Sequence, residues 1–226
     1  MLVNVPYQVK HTEIGKAEII LAINAGKARD ILSEGDQISL VLEEGSAKER
    51  RMFVSVAKVK EDGVYCVTDD LVDNEVAMYE GIPRTPVSWS GSDARAYLNS
   101  DVLAMFPDIL KINIMPREIT QRIDGKVIHT SDKLWVPSYT EFFGREDGLT
   151  YPTDGKDEDQ FSIFRTARCR VKEYDGVTDW HWTRTPRSAD SGGSMSFRLV
   201  GTNGSANSNS ASHRYGVCVG FCLRNL

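Results

Sequence analysis

Long hydrophobic runs are missing from this chain. No apolar stretch among its 226 residues approaches the roughly 20 needed to cross a bilayer, so no membrane insertion is expected. Positive charge is not in excess either. With 27 Lys and Arg against 32 Asp and Glu the formal charge is −5, which argues against a phosphate-binding surface for DNA or RNA. Cysteine is scarce, and the four present form neither a disulfide framework nor a zinc pattern. Cys218 and Cys222 stand four apart on an expected strand. At about 3.3 Å per residue they lie roughly 13 Å from each other, too far to bridge. The opening MLVNVPYQVKH lacks a positive segment followed by an apolar core, so no signal peptide is expected. No internal repeat is found.

What is present reads as an ordinary α+β globular composition, 41% hydrophobic and 26% charged. The length suits one large domain, or a domain with a small extra piece. Residues 1–34 read as an N-terminal extension. Within it Lys16 to Leu32 carries Ile19, Ile20, Ile23 and Ile31 near helical spacing, a helix expected outside the main core and able to serve assembly. Gln37 to Leu42 and Met52 to Val59 predict a hairpin with a long polar loop, followed by a strand at Val64 to Val67. Ser90 to Phe106 is the strongest helix. Ser92 can cap it, Ala94, Tyr97, Leu98, Val102 and Leu103 form its inner stripe, and Pro107 ends it. Lys111 to Val127 reads as extended segments turning at Asp124-Gly125. Ser138-Tyr-Thr-Glu141 is a capping-box pattern that opens a short helix ending at Gly144.

The last quarter differs from everything before it. Ser188 to Tyr215, SADSGGSMSFRLVGTNGSANSNSASHRY, holds no Lys, Glu, Gln or Trp and is rich in Ser, Asn, Gly and Ala. Apolar residues bracket it: Trp180, Trp182 and Pro186 before, Val217, Val219, Phe221 and Leu223 after. Inside it Met195, Phe197 and Leu199 alternate with Ser194, Ser196 and Arg198, and Asn203-Gly204 is a tight-hairpin signal. The closing run is expected as one central strand. Val217, Val219, Phe221 and Leu223 would share one buried face, with Cys218, Gly220 and Cys222 on the other as buried free thiols. A polar insert on such a frame is a displayed surface rather than a flexible linker. Its outward positions are Ser188, Asp190, Ser194, Ser196, Arg198, Thr202, Asn203, Ser205, Asn207, Asn209, Ser212, His213 and Arg214. These are expected to form one contiguous ligand-binding patch, anchored from below by Met195, Phe197, Leu199 and Val217. Tyr and Arg concentrate binding energy, so His213, Arg214 and Tyr215 are favoured contacts, and small polar residues add adaptable hydrogen bonds.

Other chemistry-bearing residues are read as structural. His181 stands between Trp180 and Trp182 and near Asp179, a candidate general base without an evident nucleophile. The tryptophans indicate core packing instead, as they do at Trp89 and Trp135. Arg184 and Arg187 are expected to pair with acidic groups at the base of the loop. Asp154, Asp157, Glu158 and Asp159 match no calcium-loop spacing and read as a solvated loop, so no metal and no cofactor are expected.

Four stretches in order carry a resemblance: Trp89-Ser-Gly-Ser-Asp-Ala-Arg-Ala-Tyr-Leu-Asn99, Leu134-Trp-Val-Pro-Ser-Tyr-Thr-Glu141, Trp182-Thr-Arg-Thr-Pro186 and Tyr215-Gly-Val-Cys-Val-Gly-Phe-Cys-Leu223. Residues 35–226 thereby resemble C-type-lectin-fold modules of bacteria and phages, in particular variable proteins of diversity-generating retroelements. The resemblance implies a C-type lectin-like fold with mixed and antiparallel sheets, two helices and long irregular loops. It also implies a variable region at about 182–215. In such systems adenines of AAC-type codons are randomised, which cannot yield Lys, Glu, Gln or Trp, the residues missing here. The implied role is non-enzymatic: a phage receptor-binding protein in the virion, recognising a protein or glycan on a host surface. It would assemble as a homo-oligomer or attach to the tail through its N-terminal region. A bacterial surface or cytoplasmic module is the alternative setting. The calcium motifs of sugar-binding lectins, Glu-Pro-Asn, Gln-Pro-Asp and Trp-Asn-Asp, are lacking. The ending GFCLR also resembles formylglycine-generating enzymes, an alternative of another class, although their catalytic cysteine pair is not evident.

Overall fold

The computed structural model describes residues 16–83, 87–123, 125–145, 158–187 and 195–224. The architecture is α+β, mostly strands in curled antiparallel sheets, with short helical segments between them. The first layer takes its outer strands from β1 (Gln37–Leu42), β2 (Arg50–Val59) and β3 (Gly63–Thr68), paired in that order. The polar loop between β1 and β2 is the hairpin loop expected from the sequence. β4 (Asp73–Ala77) leaves this layer for a second sheet.

Between them run the helices. α1 (Lys16–Asn24) and α2 (Ala28–Ile31) come first, separated at Gly26, which takes a φ of 66°. One continuous helix over 16–32 is therefore not formed. Ile19, Ile23, Ala28 and Leu32 are buried in the main hydrophobic cluster, and Asn113 ties Asn24 by a side-chain hydrogen bond of 2.9 Å. The expectation of a helix outside the core is thus corrected: its apolar stripe is used within its own domain. α3 (Asp93–Tyr97), capped by Ser92 as expected, runs through a π-helical stretch at Leu98–Val102 into α4 (Leu103–Met105). α5 (Asp108–Lys111) follows Pro107. Among the described residues there are seven short α-helices rather than two.

β5 (Ile114–Met115) joins the first sheet, and β6 (Arg117–Ile123) pairs with β7 (Lys126–Asp132) as a hairpin. β8 (Leu134–Trp135) leads to α6 (Tyr139–Phe143), where both bonds of the Ser138/Glu141 capping box are made. α7 (Ala167–Arg170) precedes a small hairpin of β9 (Lys172–Tyr174) and β10 (Val177–Asp179). The second large sheet adds β11 (His181–Pro186), β12 (Ser196–Val200), β13 (Ala206–Ser210) and β14 (Arg214–Val217), in the order β13-β12-β11-β14-β4. β15 (Gly220–Arg224) returns to the centre of the first sheet, between β3 on one side and β5 and β8 on the other.

The closing apolar run is therefore two strands, not one. All seven residues from Val217 to Leu223 are buried, as their pattern predicts. The chain leaves the second sheet after Val217 and enters the first at Gly220, so Cys218 and Val219 bridge the layers. Val219 and Phe221 join the main cluster, while Cys218 joins a second cluster with Phe142, Phe161, Phe164 and Val200. Periodicity marks burial on both sides but not the point where a chain changes sheets.

The β12–β13 hairpin turns where Asn203-Gly204 predicts it. Gly204 has a φ of 75°, and a Cβ there would stand 1.9 Å from the Ala167 carbonyl oxygen. Gly204→Ala is accordingly expected to open the turn and lower stability by about 1–3 kcal/mol or more, the cost of a strained backbone, read by urea denaturation. Phe221 packs edge-on against Phe106 with ring centres 5.5 Å apart. Its truncation to Ala should cost about 3–5 kcal/mol. A loss below about 1 kcal/mol in the same measurement would contradict its place in the core.

Candidate functional site

The polar hairpin is built on a buried frame whose rigidity comes from charge. Arg184 of β11 lies at the centre of a four-residue ion cluster. Its Nη1 contacts Glu141 Oε2 at 2.6 Å and donates to the Val136 carbonyl at 2.9 Å, and its Nη2 contacts Glu158. Arg117 of β6 reaches Glu141 Oε1 at 2.6 Å. The Ser138 hydroxyl donates to Glu158 at 2.5 Å. All four charged groups are buried. Burial by itself pushes the Glu141 carboxyl up, but Arg117 and Arg184 outweigh it and hold the group at about 2. The pairing of Arg184 at the loop base is as the sequence predicts. Glu158 corrects it: this residue is a buried ion-pair partner and not part of a solvated loop. Asp159 beside it is exposed near Lys58. Asp154 and Asp157 lie outside the described residues.

His181 is fully enclosed. Its ring stands 5.5 Å from that of Phe142, and neither ring nitrogen has a hydrogen-bond partner; the Asp179 backbone is near but outside bonding geometry. Burial pushes the imidazole down, and the nearby Lys172 ammonium pushes the same way, to about 3. A ring so held is neutral and closed to substrate, unlike a surface general base. The cysteines Cys66, Cys218 and Cys222 are buried free thiols, and Cys169 is free and exposed. Burial raises the Cys218 thiol to about 11 and the Cys222 thiol to about 12, far from a nucleophilic thiolate at neutral pH.

The hairpin itself separates the expected patch. Residues paired directly across an antiparallel ladder share a face. Phe197 pairs with Asn209 and Leu199 with Asn207, so these asparagines stand on the face of the sheet that carries the main core. Arg198 pairs with Ser208 and Ser196 with Ser210 on the opposite face. There Arg198 covers the Tyr139 ring, its guanidinium carbon 5.5 Å from the ring centre. The single one-sided patch is thus corrected to two faces and a turn. Thr202, Asn203, Ser205, Asn207, His213 and Arg214 are exposed, and Ser196, Arg198, Asn209 and Ser212 are half-buried. Ser188, Asp190 and Ser194 lie outside the described residues. Phe197, Leu199 and Val217 are buried anchors as expected, but Met195 is 38% exposed and is no anchor.

One face collects a coherent group. Tyr215 meets Trp182 edge-on at 5.0 Å, Trp180 at 6.4 Å and the His213 ring at 6.3 Å. Asn209 Nδ2 donates to the Tyr215 hydroxyl at 2.6 Å. Arg214, a favoured contact in the sequence, is partly committed: its guanidinium binds both oxygens of Glu80 at 2.7 and 2.8 Å and donates to the Glu75 carbonyl. Sequence reasoning missed Glu80 and the half-buried Trp180 as members of this surface. Glu80 carried no signal, because its partner is 134 residues away. Trp180 did carry one, since it is an aromatic residue standing directly before a strand that is buried along its whole length.

Acid should expose both buried devices, in two ranges. His181 ordinarily titrates near 6.5, so the unfolded chain binds a proton that the folded chain refuses. Stability is then complete above about 6.5 and declines as the pH falls toward about 3, by on the order of 3 kcal/mol at pH 4. Glu141, held below its ordinary 4.5, contributes stability above that value which is lost as the pH falls through about 2. His181→Phe should flatten the upper range and leave the lower one, as followed by denaturant midpoints from pH 7 to 3. Arg184→Ala, which takes the close cation from Glu158 and leaves Glu141 with Arg117 alone, should cost about 3–5 kcal/mol at pH 7.

No curated protein and no solved structure matches this chain. A family model described as a domain of unknown function, DUF6273, matches residues 62–225. That span runs from the turn before β3 through β15, so it holds the ion cluster, both faces of the polar hairpin and the bridge between sheets. The chain belongs to the DUF6273 family.

Proposed function

We propose that this chain is a ligand-binding module with a C-type-lectin-like fold, presenting the 195–215 hairpin and its flanking rings to a protein or glycan on a host cell surface. The reading extends to a variable protein of a diversity-generating retroelement, working in the receptor-binding apparatus of a phage. One observation carries it: the polar segment is accessible while the strands that hold it are buried in continuous cores. Thr202, Asn203, Ser205, Asn207 and His213 face solvent, whereas Phe197, Leu199, Trp182 and Val217 beneath them are enclosed. Folding energy and displayed chemistry are therefore carried by different residues. That division is what a surface needs if its side chains are to change while its fold does not.

The ring group around Tyr215 supports the same reading. Amphipathic aromatic residues that are partly exposed and rigidly packed provide contact area at low entropic cost. The oxidase alternative is less well supported. Cys218 lies on the bridge and Cys222 within β15, in different clusters, and burial keeps both protonated.

Exchange of Thr202, Ser212 and His213 together for Ala tests this. The triple variant should keep the wild-type stability within about 0.5 kcal/mol per site, since Thr202 and His213 are exposed, Ser212 is only half-buried, and surface positions tolerate substitution. It should lose at least tenfold in retention on intact host cells or on an immobilised glycan array, whichever retains the wild type. Unfolding of the variant, or undiminished retention on the same surface, would overturn the proposal. A coding segment nearly identical to that of 188–215, differing only at adenines and lying near a reverse transcriptase gene, is the expected genomic companion.

A further inference from the structure

Among the described residues β13 ends its sheet, and no described strand lies along the other side of its backbone. The register decides which groups lie there. Ala211 N donates to the Met195 carbonyl at 2.9 Å and Gly201 N to the Ser205 carbonyl at 2.8 Å. With the pairing of β12 and β13, residues 205, 207, 209 and 211 therefore turn their N–H and C=O groups toward β12. Those of Ala206, Ser208 and Ser210 point outward, where a bare edge invites another strand.

Two of these outward donors are already occupied. Ser208 N donates to Asn207 Oδ1 at 2.7 Å, and Ser210 N donates to Asn209 Oδ1 at 2.8 Å. Each asparagine covers the N–H of the residue after it, and the spacing of two puts both covers on consecutive outward donors. Asn209 is fixed at its other end by the bond to the Tyr215 hydroxyl, and Tyr215 is wedged against Trp182.

We infer that Asn207 and Asn209 guard the β13 edge. They close two of its three outward donors to an incoming strand, a second copy of this chain included. What stays open outward beside the Ala206 N–H is the carbonyls of Ala206 and Ser208, since the Ser210 carbonyl already accepts from His213 N at 3.0 Å. A partner then meets this edge through side chains that donate hydrogen bonds, such as Arg, Lys, Asn or Gln on a folded protein, and not through strand pairing. This holds whether or not the hairpin is diversified.

The test measures amide hydrogen exchange at Ser208 and Ser210 together with sedimentation over a range of concentrations. Asn207→Ala with Asn209→Ala should raise exchange at both amides at least tenfold. It should also strengthen concentration-dependent association relative to the wild type. The Asp pair at the same positions keeps an acceptor and should exchange as the wild type does. Tyr215→Phe removes only the anchor of Asn209, so exchange should rise at Ser210 and stay unchanged at Ser208. Unchanged exchange in the Ala pair, or an equal response of both amides to Tyr215→Phe, would overturn the inference. If the Ala pair fails to fold, the Tyr215→Phe pattern decides alone.

Discussion

Two arginines and two glutamates, enclosed together, hold four parts of the chain in one place. Arg117 comes from β6, Glu141 from α6, Glu158 from the segment entering the aromatic cluster, and Arg184 from β11. The charges cancel within the cluster, and the capping box of α6 supplies further hydrogen bonds through Ser138. A buried ion cluster adds less to net stability than its contacts suggest, because desolvation offsets much of the attraction. Its value is geometric. Carboxylate and guanidinium groups tolerate few arrangements once water is gone, so β11 at Arg184 and the helix beside it have one relative position. Every later strand of the second sheet is placed from β11, including the hairpin.

The hairpin shows how polar composition and free surface differ. Asn203 binds Ser205, Asn207 and Asn209 bind the backbone after them, and Ser210 meets Ser212. Arg214 is held by Glu80. Much of the hydrogen-bonding capacity that looks adaptable in the sequence is used to keep the hairpin in shape. The side chains left for a partner are fewer, mainly Thr202 and His213 with the rings of Trp180 and Tyr215. On the proposed reading, a surface held in this way would lose little entropy when a ligand docks.

Much of this was legible from residues alone. Ser92 and the Ser138/Glu141 pair have capping chemistry that acts within four residues, so sequence contains all of it. Likewise Asn203-Gly204 marks a turn because only a positive φ closes it. The burial of Val217 to Leu223 follows from composition. The transfer of that run between sheets does not, since nothing local distinguishes Cys218-Val219 from the middle of a strand. Face assignment in the hairpin failed for a related reason. Alternation fixes the relative faces of Phe197 and Arg198, but the faces of Asn207 and Asn209 depend on the number of residues in the turn. The role of Glu158 depends on Arg184, 26 positions away, and no periodicity reports that. α1 had the right apolar residues, yet whether they meet their own core or another surface is decided by tertiary packing.

The passage from β14 to β15 has a mechanical meaning. Gly220 to Arg224 is bonded lengthwise to β3, and to β5 and β8 on its other side. A pull on the 195–215 region that travels along β14 reaches this strand end-on. The load is then shared by its ladder bonds at once, in shear, and does not open them one after another. Were the hairpin to grip a ligand as proposed, tension on that grip would be delivered into a strand bonded along both of its edges.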